Sequence, residues 1–361
     1  MRIMQELLDD VLGGHRLTEE EALLLMKVRG RDLWEVASAA DRLREEKVGN
    51  IVTYVRNQNL HITNICKNLC GFCGFGRPIG SEGTYIHGKK HIQEMATLAK
   101  ERQVTEVCPL SGVHPDFTVQ HYADMIAWVH EVIPEADIHT ASPEEVAYAA
   151  KQSGISTKET LETFIEAGLG TLQGTAAEIL VDNVRSVICP KKINTAEWVR
   201  IIKEAHNLGL KSTSTIMYGS VDDERDRITH LKILRDIQDE TGGFTEFVPL
   251  SYLCQNTKLY TTGKVQGSPT GIEDMLMIAV SRLFLDNIDN IQISWGKVGY
   301  KMAQLGLLAG GNDLGGTMFC DDVSTDAGGE GSDYLSPIEM KRITGNIDRE
   351  LRQRTTVYGI L

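Results

Sequence analysis

The chain has 361 residues, 42% of them hydrophobic and 24% charged, enough for one large α/β core or two smaller ones. Its formal net charge of −13 argues against the basic face of a nucleic-acid-binding protein, and the short stretches GKKH (Gly88–His91) and CPKK (Cys189–Lys192) are read as solvated loops or helix ends. No apolar run reaches the ~18–20 residues of a membrane span, and the opening MRIMQELLDDVLGG is patterned as an acidic amphipathic helix rather than a signal peptide, so the expected location is the cytoplasm.

In chain order, residues 1–50 are helical in pattern. LTEEEALLLMKV opens with a capping box, Thr18 and Glu21, and RDLWEVASAADRLREEKVG keeps helical spacing up to a closing glycine. From Val52 on, short β-branched runs alternate with longer amphipathic ones. The predicted strands are 59–65, 105–112, 137–141, 170–174, 211–219, 244–250, 290–295 and 312–318. Helix patterns separate them, among them IQEMATLAKERQ, HYADMIAWVHEVI and IEDMLMIAVSRLFLDN, and SPEE (Ser142–Glu145) and SPIE (Ser336–Glu339) carry helix-start signals. About eight strand–helix units predict an α/β fold with a parallel sheet, a TIM-like (βα) barrel that is closed or partly open. A doubly wound dinucleotide fold is the alternative, but no G-x-G-x-x-G follows the first strand. The expected organisation is a helical segment over 1–50, a barrel over 51–320, and a C-terminal loop and helix over 321–361 that complete it. The stretch STDAGGEGSDYLS (324–336) reads as a flexible loop.

Three of the seven cysteines, Cys66, Cys70 and Cys73, lie in HITNICKNLCGFCGFGR, directly after the first predicted strand. At a barrel's carboxyl end such a loop sits where function sits. The other four, Cys108, Cys189, Cys254 and Cys320, are read as ordinary buried thiols, since in a cytosolic chain reduced cysteines are the rule. A structural zinc site wants four ligands, and no second C-x-x-C exists. An iron–sulfur cluster fits clustered thiolates better, and three of them on a four-iron cluster leave one iron open for chemistry. A plain electron carrier, the non-enzyme alternative, requires a cluster fully ligated by protein.

With Phe72 just before the last cysteine, this loop resembles that of the radical S-adenosylmethionine (SAM) superfamily. The resemblance extends over roughly residues 50–350. GTLQGTAAEIL (170–180), HLKILRDIQDETGGFTEFVPLSY (230–252), NIQISW (290–295) and GGNDLGGTM (310–318) are similar to the tyrosine-utilising subunits of FO synthase. The resemblance implies a 4Fe-4S cluster held by Cys66, Cys70 and Cys73, with SAM chelating the open iron and cleaved by one electron to methionine and a 5′-deoxyadenosyl radical. It implies L-tyrosine and 5-amino-6-(D-ribitylamino)uracil as substrates. Tyrosine would lose a hydrogen and break at Cα–Cβ, and its p-hydroxybenzyl group would join C5 of the uracil. A second radical SAM enzyme would close the ring to FO, the deazaflavin chromophore of factor 420, and an electron donor would feed the cluster.

Within that frame the cofactor-side candidates are Phe72, Gly112, Ser142 and Glu178. Each has a plainer reading: packing under the loop, a turn glycine, a helix N-cap and a solvated carboxylate. His114, Tyr218, Trp295, Asn312 and Asp313 are the substrate-binding candidates, placed at strand ends; Asn312 and Asp313 read equally as a turn. The strand-end sequence LSGVHP, the glycine-rich GRPIGSEGTYIHG and Gly296 depart from the family pattern. They leave a paralogue acting on another aromatic or pyrimidine-like substrate as the alternative enzyme.

Overall fold

β-Branched residues run through 51–63, and in the computed structural model this stretch forms two consecutive strands, β1 (Ile51–Val55) and β2 (Asn57–Thr63), broken at Arg56. The structure describes residues 2–320, Asp326 and residues 334–361. Further strands follow as β3 (Glu106–Ser111), β4 (Asp137–Thr140), β5 (Thr171–Leu172), β6 (Lys211–Tyr218), β7 (Phe244–Ser251), β8 (Asp313–Gly316) and β9 (Glu350–Arg354). β2 to β7 lie side by side in chain order, and β1 lies between β8 and β9, all in parallel pairs. The single parallel bridges Phe247–Ile291, Gln292–Asp313 and Gln58–Phe319 join the two sheets into a ring. This is the TIM-like barrel that the strand–helix repetition predicts.

Alternation along each strand sorts the residues. Leu60, Ile62, Val107, Ile138 and Leu172 face outward and meet Ile92, Ile126, Phe164 and Ile201 of the surrounding helices in one apolar core. The inward residues are largely polar. The helix Gly271–Phe284 is buried from Asp274 to Phe284, as its all-round apolar pattern requires. Its outer side is covered by Asp32–Val48, the last of three helices, after Arg2–Leu12 and Glu19–Met26, that precede β1.

The departures from the predicted strands are local. The 290–295 segment makes single bridges rather than a ladder, and Trp295 opens the helix Trp295–Leu307. The 170–174 strand shrinks to two paired residues. β9, the sequence ELRQR, was not predicted, because its charged alternation has the look of surface. Its last residue, Arg354, is buried and pairs with Asp313 and Glu246. Most of the 324–336 loop lies outside the described residues.

Candidate active site

β2 ends at Thr63, and the chain runs at once into the cysteine loop at the carboxyl end of the barrel. The loop folds back on itself: the Arg77 N–H donates to the Asn64 carbonyl at 2.7 Å, and the Cys66 N–H to the Arg77 carbonyl at 3.0 Å. Two neighbouring segments hold it, through Lys67 N–H on the Val113 carbonyl (2.9 Å) and Gly71 N–H on the Ile188 carbonyl (2.8 Å). A Cβ on Gly112 would lie 2.4 Å from the Ile65 carbonyl oxygen and 3.1 Å from Cys66 Cβ, so glycine is what lets the end of β3 press against the loop.

Cys66, Cys70 and Cys73 are free thiols on the wall of one cavity of about 250 Å³. No three His, Cys, Asp or Glu side chains among the described residues converge on a single-ion position. A mononuclear zinc needs such convergence, whereas a four-iron cluster takes one thiolate per iron and does not. Three thiols lining one cavity suit a four-iron cluster, which takes one thiolate per iron. Burial pushes the Cys70 thiol well above its ordinary range, so iron binding must drive its deprotonation.

The other cofactor-side candidates meet at the same cavity. Phe72, Gly112, Ser142 and Glu178 all line it. Ser142 caps the helix Pro143–Ser153 in a box with Glu145, so its hydroxyl is engaged with that helix start. Glu178 is not a loose carboxylate: it pairs with Lys192 at 2.6 Å, and both side chains are about seven-eighths buried (12% and 13% exposed). Lys192 lies 5.5 Å from the centre of the Phe72 ring. The CPKK stretch read as solvated thus delivers a buried cation to the cavity. Burial opposes that charge, but the Lys192 pKa is raised all the same, with the Glu178 carboxylate the foremost cause.

Sequence reasoning missed Glu144. Its carboxylate accepts from Asn68 Nδ2 (2.8 Å) in the cysteine loop and from the Ile193 N–H (2.7 Å), tying the loop to the segment that carries Lys192. The available signal was the SPEE motif, in which one glutamate caps and the other is left for a different task.

A second cavity, about 300 Å³, fills the barrel lumen and shares Leu110, Gln173 and Thr175 with the first. Barrel interiors are ordinarily packed with branched apolar side chains. Here the wall includes Asn57, Asn59, Glu106, His139, Thr213 and Glu246. At its amino end Arg354 is held by Asp313 (2.5 Å) and Glu246 (3.2 Å), and the Tyr358 hydroxyl donates to Glu246 at 2.5 Å. Burial raises the Glu246 carboxyl to about 7 against the pull of Arg354.

None of the predicted substrate-binding residues lines either cavity. His114 is buried against Phe117 (4.6 Å between ring centres) and accepts from the Asp116 N–H. The Tyr218 hydroxyl donates to Asp274 at 2.6 Å, in the layer outside the barrel. Trp295 Nε1 donates to the Gly316 carbonyl at 2.9 Å. Asn312 and Asp313 stand at the amino end of β8, not its carboxyl end. Asn312 Oδ1 accepts from Arg282 (2.7 Å) and the Ile291 N–H (2.8 Å), and Asp313 acts on the lumen only by fixing Arg354.

Residues 60–234 match the model of the radical SAM superfamily, and residues 241–355 a model described as the CofH/MqnC C-terminal region. A protein of Methanoculleus marisnigri named 5-amino-6-(D-ribitylamino)uracil–L-tyrosine 4-hydroxyphenyl transferase is 58% identical over 358 residues, covering 99% of this chain and 98% of its own. The chain belongs to the family of these radical SAM transferases. The family member of Methanosphaerula palustris is 55% identical, with 99% and 98% of the two chains covered. Among solved structures, methylornithine synthase (PylB) superposes with a TM-score of 0.73 at 18% identity, covering 96% of this chain and 97% of its own. The hydrogenase maturase HydG of Carboxydothermus hydrogenoformans gives 0.77 at 15% identity, with 99% and 81% covered. These two likenesses concern the fold. Membership in the superfamily implies a 4Fe-4S cluster and SAM as cofactors.

Proposed function

We propose that this protein is a radical SAM transferase that cleaves L-tyrosine and adds its p-hydroxybenzyl group to 5-amino-6-(D-ribitylamino)uracil on the route to FO. The observation that carries the reading is a cavity walled by Cys66, Cys70 and Cys73 that adjoins a polar barrel lumen, in a chain 58% identical along its length to a transferase named for this reaction. Cys66, Cys70 and Cys73 would hold the cluster, which with SAM supplies a 5′-deoxyadenosyl radical. The chain's own residues do the rest. Gly112 and Glu144 fix the loop, the Glu178–Lys192 pair sets the charge of the cavity wall, and Ser142 holds a helix start at its rim. The lumen takes the substrates and shields the reacting radicals from water.

A separate ring-closing radical SAM enzyme and an electron donor are the partners this reaction needs. The division at residues 50 and 320 and a cytoplasmic location belong to the same reading; no helix among the described residues is long and apolar enough to cross a membrane. Anaerobic incubation of the reconstituted protein with SAM, reductant, tyrosine and the ribitylaminouracil tests it by mass spectrometry. The reading expects 5′-deoxyadenosine together with a p-hydroxybenzyl adduct of the uracil. If 5′-deoxyadenosine forms while tyrosine survives, the superfamily chemistry stands and the substrate assignment falls.

A further inference from the structure

Two buried polar side chains on the lumen wall, Asn59 and Glu106, and the half-buried Gln292 face the cavity without a full set of hydrogen-bond partners among the described residues. Asn59 is 6% exposed, and its side-chain amide makes no hydrogen bond among the described residues. Glu106 is 5% exposed; only its Oε1 is engaged, by Asn57 Nδ2 (3.2 Å) and Cys108 Sγ (3.2 Å), and no cation pairs with it among the described residues. Gln292, in the segment between β7 and β8, is half-buried and presents to the same cavity a side-chain amide with no hydrogen-bond partner among the described residues. Buried polar groups are nearly always satisfied, so Asn59 and Glu106 point to a ligand, which Gln292 can also reach from its side of the cavity.

Their depth and chemistry say which part of which ligand. Glu106 lies four residues before Leu110 on β3, and Leu110 is where the lumen meets the cysteine cavity, so the two levels are about 13 Å apart at ~3.3 Å per residue. Reaction must occur at the junction. Tyrosine has to reach it to lose its hydrogen, and C5 of the uracil has to reach it to capture the benzyl fragment. The ribityl chain is the part of either substrate that takes no part in bond making, and it is free to run down the lumen. Among the described residues the amino end offers a carboxylate that only accepts, amides that both donate and accept, and the cation of Arg354, already committed to Asp313 and Glu246, while Lys297, which also lines the cavity, stands at the other end, past the 290–293 segment. A substrate carboxylate finds no free cation there and meets Glu106 instead. Hydroxyl groups, each donor and acceptor at once, satisfy the whole set.

We propose that Glu106, Asn59 and Gln292 form the subsite for the ribityl chain of the uracil substrate, which aims C5 at the cysteine cavity. The assignment rests on the function proposed above. It makes Glu106 and Asn59 specificity-determining residues for the polyol.

The test is anaerobic titration calorimetry on cluster-reconstituted protein with SAM and no reductant, using the ribitylaminouracil and its 6-methylamino analogue, for wild type, Glu106→Gln and Asn59→Ala. Each variant should weaken the ribityl compound by about ten- to a hundredfold and leave the methylamino analogue unchanged, collapsing the wild-type preference between the two. Tyrosine binding should not move. Equal weakening of both uracils, or none of either, overturns the subsite while wild-type adduct formation keeps the reaction. Should Glu106→Gln fail to fold, Asn59→Ala decides by itself. A wild-type protein that neither binds the ribitylaminouracil nor forms the adduct overturns the functional reading, and the subsite with it.

Discussion

Glu178 and Lys192 show how much a single contact changes a residue's meaning. From sequence, Glu178 stands among Gly174, Thr175, Ala176 and Ala177, with nothing nearby to neutralise it. In the fold a lysine fourteen positions on answers it at 2.6 Å, and the pair lies against the cysteine cavity. Removing one partner leaves the other buried without its counter-charge, which typically costs about 3–5 kcal/mol. Lys192→Met and Glu178→Gln should each lower stability in urea titrations, and the double variant should lose less than the sum of the two. Strict additivity would mean the pair carries no coupling. The cysteines behave differently. Alanine at Cys66, Cys70 or Cys73 should remove cluster absorbance and SAM cleavage while far-ultraviolet circular dichroism stays native, because no thiol holds the barrel together. Full iron content in any of the three variants would break the ligand assignment.

At the scale of elements, the sequence is most informative where one physical signal dominates. The strands predicted at 59–65 and 211–219 fall on β2 and β6 to within two residues, and the SPEE cap marks a helix start, because burial of one face or a missing backbone partner decides these locally. It is least informative where the deciding partner is distant. ELRQR reads as surface, yet Arg354 is buried by Asp313 and Glu246, more than forty and one hundred positions away. Asn312 and Asp313 look like a strand-end pair facing substrate, but their register with β1 and the 290–293 segment puts them at the far end of the barrel. Cys66, Cys70 and Cys73 stand out in the sequence because their spacing is itself the signal, and the structure places them on one cavity wall, whereas the inward direction of Glu106 and Asn59 is visible only in the closed ring. One element-level contact can be tested directly. Gly112→Ala places a Cβ within 2.4 Å of the Ile65 carbonyl and 3.1 Å of Cys66 Cβ, so the loop must shift. The variant should fold and yet incorporate less iron per chain than wild type on anaerobic reconstitution; equal incorporation would show that the loop tolerates the displacement.

For the whole molecule, acid is the weak side. Burial lowers His206 to about 4 and His230 to about 3 from an ordinary 6.5, and His230 accepts the Leu180 N–H at 3.0 Å in its neutral form. The stability these two histidines contribute is fully present above about pH 6.5 and drains away towards pH 3–4; Glu246, whose raised carboxyl takes up its proton first in the folded chain, works the other way and offsets part of the loss. With two histidines against one carboxylate, melting temperature should fall between about pH 6.5 and pH 5. His230→Asn, which keeps an acceptor for Leu180 but does not titrate, should flatten the slope; an identical slope would acquit that histidine.

The closed ring also explains how one chain can run radical chemistry on two substrates, since a cavity bearing three thiols adjoins a polar lumen at Leu110, Gln173 and Thr175. The most direct test of that account is a single-turnover reaction of cluster-reconstituted protein with SAM, reductant, the ribitylaminouracil and tyrosine labelled with carbon-13 throughout its ring. All of the label should appear in a ribitylaminouracil adduct, formed in step with 5′-deoxyadenosine. An adduct without the label, or 5′-deoxyadenosine formed while labelled tyrosine is recovered intact, would contradict it.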